Sequence, residues 1–311
     1  MEKWARVIKP GNIKLESVMT LTCTPLHPLF AAEASGFDLT QPLTAEQVRA
    51  IDAGMNQHAV LVFRRQSLDE DQQIRFAKSL GPLDLGLLKL KRNPSRFKHA
   101  ELIDISNVGT DDSVAPREHS KVVGNIANQL WHSDSSFQQR RARYSMLQAV
   151  TLPSWGGETE FADLRAAHDA LPETLRREAE GRSAEHYALY SRIMLGDANY
   201  SEEQKNAIPP AIWPLIQTHA GSGRKLLYVG IHCQRIPGMS LPEGRMLIMD
   251  LLEHVTQPQF VYRHHWQPGD LVIWDNRATV HRGRRFDLAE RRELRRTSTE
   301  DVDLAEAQMV A

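Results

Sequence analysis

Trp131-His132-Ser133-Asp134 sets two potential metal ligands one residue apart. On an extended strand, residues i and i+2 point to the same face, so both side chains can converge on one ion. Imidazole plus carboxylate suits a borderline metal such as Fe(II), Mn(II) or Zn(II). The set needs a third ligand from another strand far along the chain. His281, in Trp274-Asp275-Asn276-Arg277-Ala278-Thr279-Val280-His281-Arg282-Gly283, is the best candidate. Two His and one carboxylate leave three positions open, as in the facial triad of non-haem Fe(II) oxygenases. A fold that serves this set must bring two distant strands to one mouth. Short strands with turn signals surround both motifs, as in a jelly-roll barrel. The pattern H-x-D alone is weak, and a chain with 13 His offers a downstream His by chance.

The rest of the composition bounds the setting. The chain has 311 residues and a formal net charge of −1. That length supports a sizeable core, and jelly-roll enzymes of this length form one domain. Near-neutral charge makes no case for nucleic acid or an anionic membrane as partner. Two cysteines, Cys23 and Cys233, argue against a disulfide framework and for a reducing compartment. Residues 1–17 have no apolar signal core, and no apolar run approaches the ~20 residues that span a bilayer. A cytoplasmic enzyme is the plain expectation. The boundaries expected are an N-terminal extension over 1–20, one jelly-roll domain over 21–300, and an acidic tail over 301–311.

Residues 18–25 read as a first strand. Thr44-Ala45-Glu46-Gln47 is a capping box, with Val48, Ile51 and Met55 at helical spacing. Residues 59–63 form an apolar run of strand length, buried on both faces. Ser67-Leu68-Asp69-Glu70 reads as a second capping box, opening a helix that ends at Gly81-Pro82. Residues 83–123 are polar and irregular apart from a strand at 100–105; the segment is either an active-site lid or a solvated loop. Residues 144–150 read as a strand, and Gly156-Gly157-Glu158-Thr159-Glu160-Phe161 turns into another. Asp163 caps a helix, and Pro172 opens the next at N1. Residues 213–230 read as a hairpin with Gly221-Ser222-Gly223 at its tip. An amphipathic helix follows through Leu247, Leu251, Leu252 and Val255. Strands at 260–266 and 270–274 flank the Pro268-Gly269 turn.

Beyond His281 lies Arg291-Arg292-Glu293-Leu294-Arg295-Arg296. As a strand it sets Arg292, Leu294 and Arg296 on one face, with the two guanidinium stems starting ~13 Å apart. Each could clamp a different carboxylate, one on a dicarboxylate cosubstrate and one on an acidic substrate. As a helix the same run is a solvated charged face.

At these residues the sequence resembles the taurine/2,4-dichlorophenoxyacetate dioxygenase family. The resemblance runs from about Pro25 to Arg296. It is carried by Asn125-Ile126-Ala127-Asn128-Gln129-Leu130-Trp131-His132-Ser133-Asp134-Ser135-Ser136-Phe137, by the Gly156 to Phe161 segment, and by Trp274-Asp275-Asn276 through His281 to Arg292. Asn93-Pro94-Ser95-Arg96-Phe97-Lys98 and His219-Ala220-Gly221-Ser222-Gly223-Arg224-Lys225 are also similar. It implies a mainly β fold with flanking helices, a double-stranded β-helix of the jelly-roll, cupin-like kind. It implies Fe(II) on His132, Asp134 and His281, and 2-oxoglutarate on Thr159 and Arg292 with Trp274 lining its pocket. Arg296, Asn128, Lys89, His219 and His232 match positions near the substrate. Ser113 stands where a second basic residue is expected.

The implied reaction is an Fe(II)/2-oxoglutarate-dependent oxygenation, with O₂ as cosubstrate and ascorbate as an accessory reductant. It hydroxylates the methylene next to the ether oxygen of an aryloxyacetate and yields a phenol, glyoxylate, succinate and CO₂. The partner is then a small acidic aromatic substrate, and the assembly a homo-oligomer, a dimer or tetramer. The same chemistry on a sulfonate, a sulfate ester or a natural aromatic carboxylate is the alternative. A Zn(II) hydrolase or a non-catalytic metal-binding barrel leaves Thr159 and Arg292 without a task.

Overall fold

The computed structural model describes residues 20–85, 96–196, 200–207 and 209–302. Lys89 lies outside them, as do residues 93–95 of the Asn93 motif, all but residue 20 of the expected N-terminal extension, and all but residues 301–302 of the expected tail. The strands described are β1 (Thr22–Pro25), β2 (Ala32–Ser35), β3 (Val60–Phe63), β4 (Ile103–Ser106), β5 (Ala142–Thr151), β6 (Thr159–Asp163), β7 (Ser183–His186) and β8 (Ala211–Pro214). They continue with β9 (Ile216–Thr218), β10 (Lys225–Leu227), β11 (Cys233–Arg235), β12 (Val261–His264), β13 (Leu271–Asp275), β14 (Thr279–Gly283) and β15 (Glu293–Glu300).

Seven strands form the major sheet in the order β1-β2-β3-β13-β5-β15-β4. A minor sheet of three, β12-β6-β14, faces it. The inner core shows the pairing of the faces. Val60, Val62, Leu147, Val272, Trp274 and Leu294 of the major sheet pack with Phe161 and Tyr262 of the minor one. Neighbours one residue along point outward, as a two-residue period requires. Leu61, Phe63, Tyr144, Met146, Leu271 and Ile273 therefore meet the helices α1 (Ala45–His58) and α2 (Glu70–Ser79) through Ile51, Met55 and Phe76. Behind the minor sheet, Ala162 and Val280 pack on Leu247, Leu251 and Val255 of the helix Leu241–Val255. Each fully buried side chain of this size contributes about 1.5–3 kcal/mol.

Local signals are met with small shifts. Thr44 closes its capping box with Gln47, as expected. The second box is capped by Asp69 and closed by Gln72, two residues beyond the Ser67 assigned from sequence. Pro172 is the N-cap of Glu173–Ala179 and not N1, so that helix starts one residue later. The hairpin over 213–230 is the antiparallel pair β9 and β10. β12 and β13 do not pair with each other: the Pro268-Gly269 turn carries the chain from the minor to the major sheet. The run at 291–296 is extended, so the helical alternative is excluded, and Arg296 pairs in register with Leu147 of β5. Both cysteines are free. No helix among the described residues is long and apolar enough to cross a membrane.

One buried charge ties these layers together. Arg165 donates through Nε and Nη2 to both oxygens of Asp163, at 3.1 and 2.8 Å. It also donates to the carbonyls of Asn56 and Gln57 in the last turn of α1. Both side chains are fully buried. Arg165→Ala should leave an uncompensated buried carboxylate and open helix carbonyls, at a cost of about 3–5 kcal/mol. A lowered urea midpoint measures it.

Candidate metal centre and cosubstrate pocket

The two segments that carry the predicted ligands are joined by backbone. His132 N donates to His281 O (3.0 Å) and His281 N to His132 O (2.8 Å). Ser133 Oγ donates to the Thr279 carbonyl (2.8 Å) and Asp134 N to Asn276 Oδ1 (3.1 Å). His132 thus extends the β14 edge as an isolated bridge, and the chain turns immediately afterwards. Ser135 takes a left-handed conformation (φ 52°), rare for a side-chain-bearing residue, and donates to Asp84. Ligand atoms of His132, Asp134 and His281 lie within 4.8 Å of one another, and all three residues are buried. The Asp134 oxygens stand 3.9 Å from His132 Nε2 and 3.8 Å from His281 Nε2.

Their charge states suit a metal. Burial lowers the pKa of both imidazoles, His281 well below its ordinary value, so both are neutral. His132 Nδ1 lies 2.7 Å from the Leu130 carbonyl, which can only accept; the ring proton is there and the Nε2 lone pair is free. Burial pushes the Asp134 carboxyl up, but the charge of Arg296, helped by the hydrogen bond from Ser145, outweighs it and holds it well below the usual carboxylate range. Two neutral imidazoles and one ionised carboxylate form a donor set that fits Fe(II).

Beside the three residues opens a cavity of ≈ 840 Å³. Trp274, Thr159, Arg292, Arg296 and Asn128 all line it. Trp274 is buried between Phe161 (ring centroids 5.5 Å) and His281 (4.7 Å). Thr159 Oγ1 accepts from Trp266 Nε1 (3.1 Å), which leaves its own proton to donate. Arg292 is buried, donates from Nη2 to the Gly157 carbonyl (2.9 Å), and keeps a buried Nε with no partner among the described residues. Burial pushes this guanidinium down to about 10. A cation so placed calls for an anion, and a carboxylate is the planar, two-oxygen match. The two glycines make the approach possible. A Cβ on Gly157 (φ 73°) would lie 2.8 Å from Arg292 Nε, and one on Gly156 (φ 71°) 2.2 Å from the Arg285 carbonyl.

Arg296 does more than face the cavity. Its Nη1 donates to Asp134 Oδ1 at 2.5 Å, while its Nε is unpartnered. Two of the expected substrate contacts do not line this cavity. His219 spends Nε2 on Asp275 (3.0 Å) and Nδ1 on Ser222 (2.9 Å), and lines no part of the cavity. His232 is also absent from the lining and packs edge-on against His132 and Phe137. Ser113 is exposed and donates to Asp111. Sequence reading left the apolar wall unassigned; it includes Ile105, Val122, Ile126, Leu147, Phe286 and Leu288. Two of these belong to the polar 83–123 region and two to the loop after His281, where no periodicity marks them.

Arg292→Ala should raise the 2-oxoglutarate concentration needed for half-saturation by 100-fold or so, as one bidentate charged contact of about 3 kcal/mol implies. Iron binding in an anaerobic titration should remain.

Comparison with known proteins agrees with this geometry. The model of the family described as taurine catabolism dioxygenase TauD, TfdA family matches residues 22–298. The chain is 59% identical to the alpha-ketoglutarate-dependent 2,4-dichlorophenoxyacetate dioxygenase of Cupriavidus pinatubonensis, over 91% of this chain and 99% of that protein. It is 34% identical to the (S)-phenoxypropionate/alpha-ketoglutarate-dioxygenase of Sphingobium herbicidovorans, over 86% and 91% of the two chains. The crystal structure of AAD-2 in complex with Mn(II) and N-oxalylglycine superposes with a TM-score of 0.87 at 40% identity, covering 92% of this chain and 99% of that one. A metal-compatible triad at a jelly-roll mouth, a buried arginine beside it and a family match across nearly all the described residues lead to one statement: the chain belongs to the TauD/TfdA family of 2-oxoglutarate-dependent dioxygenases.

Proposed function

We propose that the protein hydroxylates the methylene between the carboxylate and the ether oxygen of an aryloxyacetate, with Fe(II) on His132, Asp134 and His281 and 2-oxoglutarate on Thr159 and Arg292. One observation carries the reading. The cavity has two inward guanidiniums, Arg292 and Arg296, at the triad, and an apolar wall wide enough for an aryl ring. The 59% identity to a dioxygenase named for 2,4-dichlorophenoxyacetate supports the substrate class. When bound, iron and 2-oxoglutarate supply the oxidant with O₂: one oxygen atom enters succinate as CO₂ leaves, and the other enters the substrate C–H bond. The hemiacetal so formed collapses to a phenol and glyoxylate.

The chain's own residues orient these partners. Arg292 and Thr159 offer donors to the distal carboxylate of 2-oxoglutarate. Arg296 offers its remaining N–H groups to the substrate carboxylate and so sets the methylene near the metal. Ile105, Val122, Leu147 and Phe286 hold the ring and keep water out. Asn128, whose Nδ2 lies 3.5 Å from Asn125 Oδ1, adds an adjustable polar contact. Trp274, wedged on His281, forms a rigid side of the cosubstrate pocket. A cytoplasmic location is proposed with this reading, supported by the two unpaired cysteines.

Anaerobic addition of 2-oxoglutarate to the iron-loaded protein should raise a weak visible charge-transfer band. O₂ and a panel of aryloxyacetates should then give equal amounts of succinate and phenol. Succinate without phenol across the panel would reject the aryloxyacetate assignment and redirect the search to sulfonates and sulfate esters.

The cavity's charge makes a second expectation. Its lining holds five arginines, Arg117, Arg284, Arg285, Arg292 and Arg296, against one carboxylate, Asp287, in a chain of net charge −1. Arg117 and Arg285 are exposed at the rim, where they attract anions from solution. The double variant Arg117→Glu, Arg285→Glu should lose about tenfold in kcat/KM at low salt, and its rate should become nearly independent of ionic strength. Stopped-flow binding at two salt concentrations reads it.

A further inference from the structure

Behind Asp134 lies a fully buried polar cluster that the reaction as derived does not use. Asn276 and Ser145 are both inaccessible to solvent. Asn276 Oδ1 receives Asp134 N (3.1 Å) and Trp274 Nε1 (3.0 Å). Both are obligatory donors, so this end of the amide must be the oxygen, and the orientation of Asn276 is fixed. Its Nδ2 then points at Ser145 Oγ (2.9 Å). Ser145 Oγ also lies 2.7 Å from Asp134 Oδ2 and 2.8 Å from Ser298 Oγ.

A serine hydroxyl has one proton and two lone pairs. Nδ2 of Asn276 can only donate to it, and an ionised Asp134 can only accept from it. The one proton of Ser145 is therefore committed to Asp134, and Ser298 must donate to Ser145 in turn. The direction of every hydrogen bond in the cluster follows from the two N–H groups that pin Asn276 together with the ionised carboxylate of Asp134.

We infer that Asn276 is a positioning residue for the metal centre, acting both directly and through Ser145. It holds the backbone of Asp134, donates to the hydroxyl that in turn donates to the carboxylate of Asp134, and anchors the indole of Trp274 against His281. One amide thereby sets the rotation of a ligand carboxylate together with one wall of the cosubstrate pocket. This rests on the reading of His132, Asp134 and His281 as the iron ligands. Outer partners of this kind commonly change metal affinity by about 10–100-fold.

The test is anaerobic Fe(II) titration of Ser145→Ala, Asn276→Ala and the double variant, each first checked for native circular dichroism and melting. The 2-oxoglutarate charge-transfer band is recorded alongside. Ser145→Ala should weaken Fe(II) about tenfold or more and shift the band while the fold persists. Asn276→Ala should do at least as much. The double variant should lose less than the sum of the two single losses, because part of the effect of Asn276 runs through the Ser145 hydroxyl. Wild-type Fe(II) affinity in folded Ser145→Ala overturns the inference, and so do losses that add in the double variant. If Asn276→Ala does not fold, Ser145→Ala decides alone. His132→Ala, titrated in parallel, reports on the ligand set: unchanged iron binding there would sink the metal-centre assignment itself.

Discussion

Two backbone hydrogen bonds between His132 and His281 hold this architecture to its chemistry. His281 lies within β14, where it pairs with Phe161 of β6, whereas His132 reaches that strand only as a single bridge. Yet that bridge fixes the distance between two imidazoles that are far apart in sequence, and Ser133 and Asp134 add further bonds to the same segment. Backbone does this better than side chains, since it has no rotamers to lose. The turn after Asp134, with Ser135 at positive φ, follows from the same demand. The chain must be extended through the ligands and then leave the sheet at once, and local strain is tolerated where surrounding contacts over-determine it.

The sandwich around the bridge supplies the low-dielectric surroundings on which the site's electrostatics depend. Phe161 and Trp274, one from each sheet, pack beside His281 and desolvate it. The same layer buries Arg292 behind Gly157. In water a guanidinium would be satisfied by solvent and show no preference among anions. Here, stripped of solvent and short of partners, it discriminates strongly for a planar carboxylate. The apolar core and the cation are therefore one device, and the glycine pair before Thr159 is the steric condition for it.

Much of this was legible in the sequence, for identifiable reasons. Helix α1, with its Thr44 box, and strand β3, apolar throughout, carry signals that need no tertiary context. The H-x-D spacing and a distant His named the triad, and period-two spacing placed Arg292, Leu294 and Arg296 on one face. Other features were not visible. The capping of α2 moved to Asp69 because two candidate caps stand two residues apart and only packing chooses. His219 resembled a pocket residue, but Asp275, a buried carboxylate whose position depends on sheet register, claims its ring. Ser145 and Asn276 carry no local signature as a pair. They meet because β5 and β13 run antiparallel, with Ser145 facing Trp274 in register.

The charge of the site can be reasoned through without further geometry. On the proposed ligand set, Fe(II) with Asp134 leaves one positive charge, and Arg292 and Arg296 bring the total to three. Doubly negative 2-oxoglutarate and a singly negative substrate cancel all three. With both anions bound the buried centre is neutral overall; with either missing it is not, and an uncompensated charge in a desolvated site is costly. Arg296 pairs with Asp134 through one Nη, and its geometry leaves other N–H groups for a second partner. The additional arginines Arg117 and Arg285 are exposed at the rim, where solvent screens them and they act on ligands still in solution.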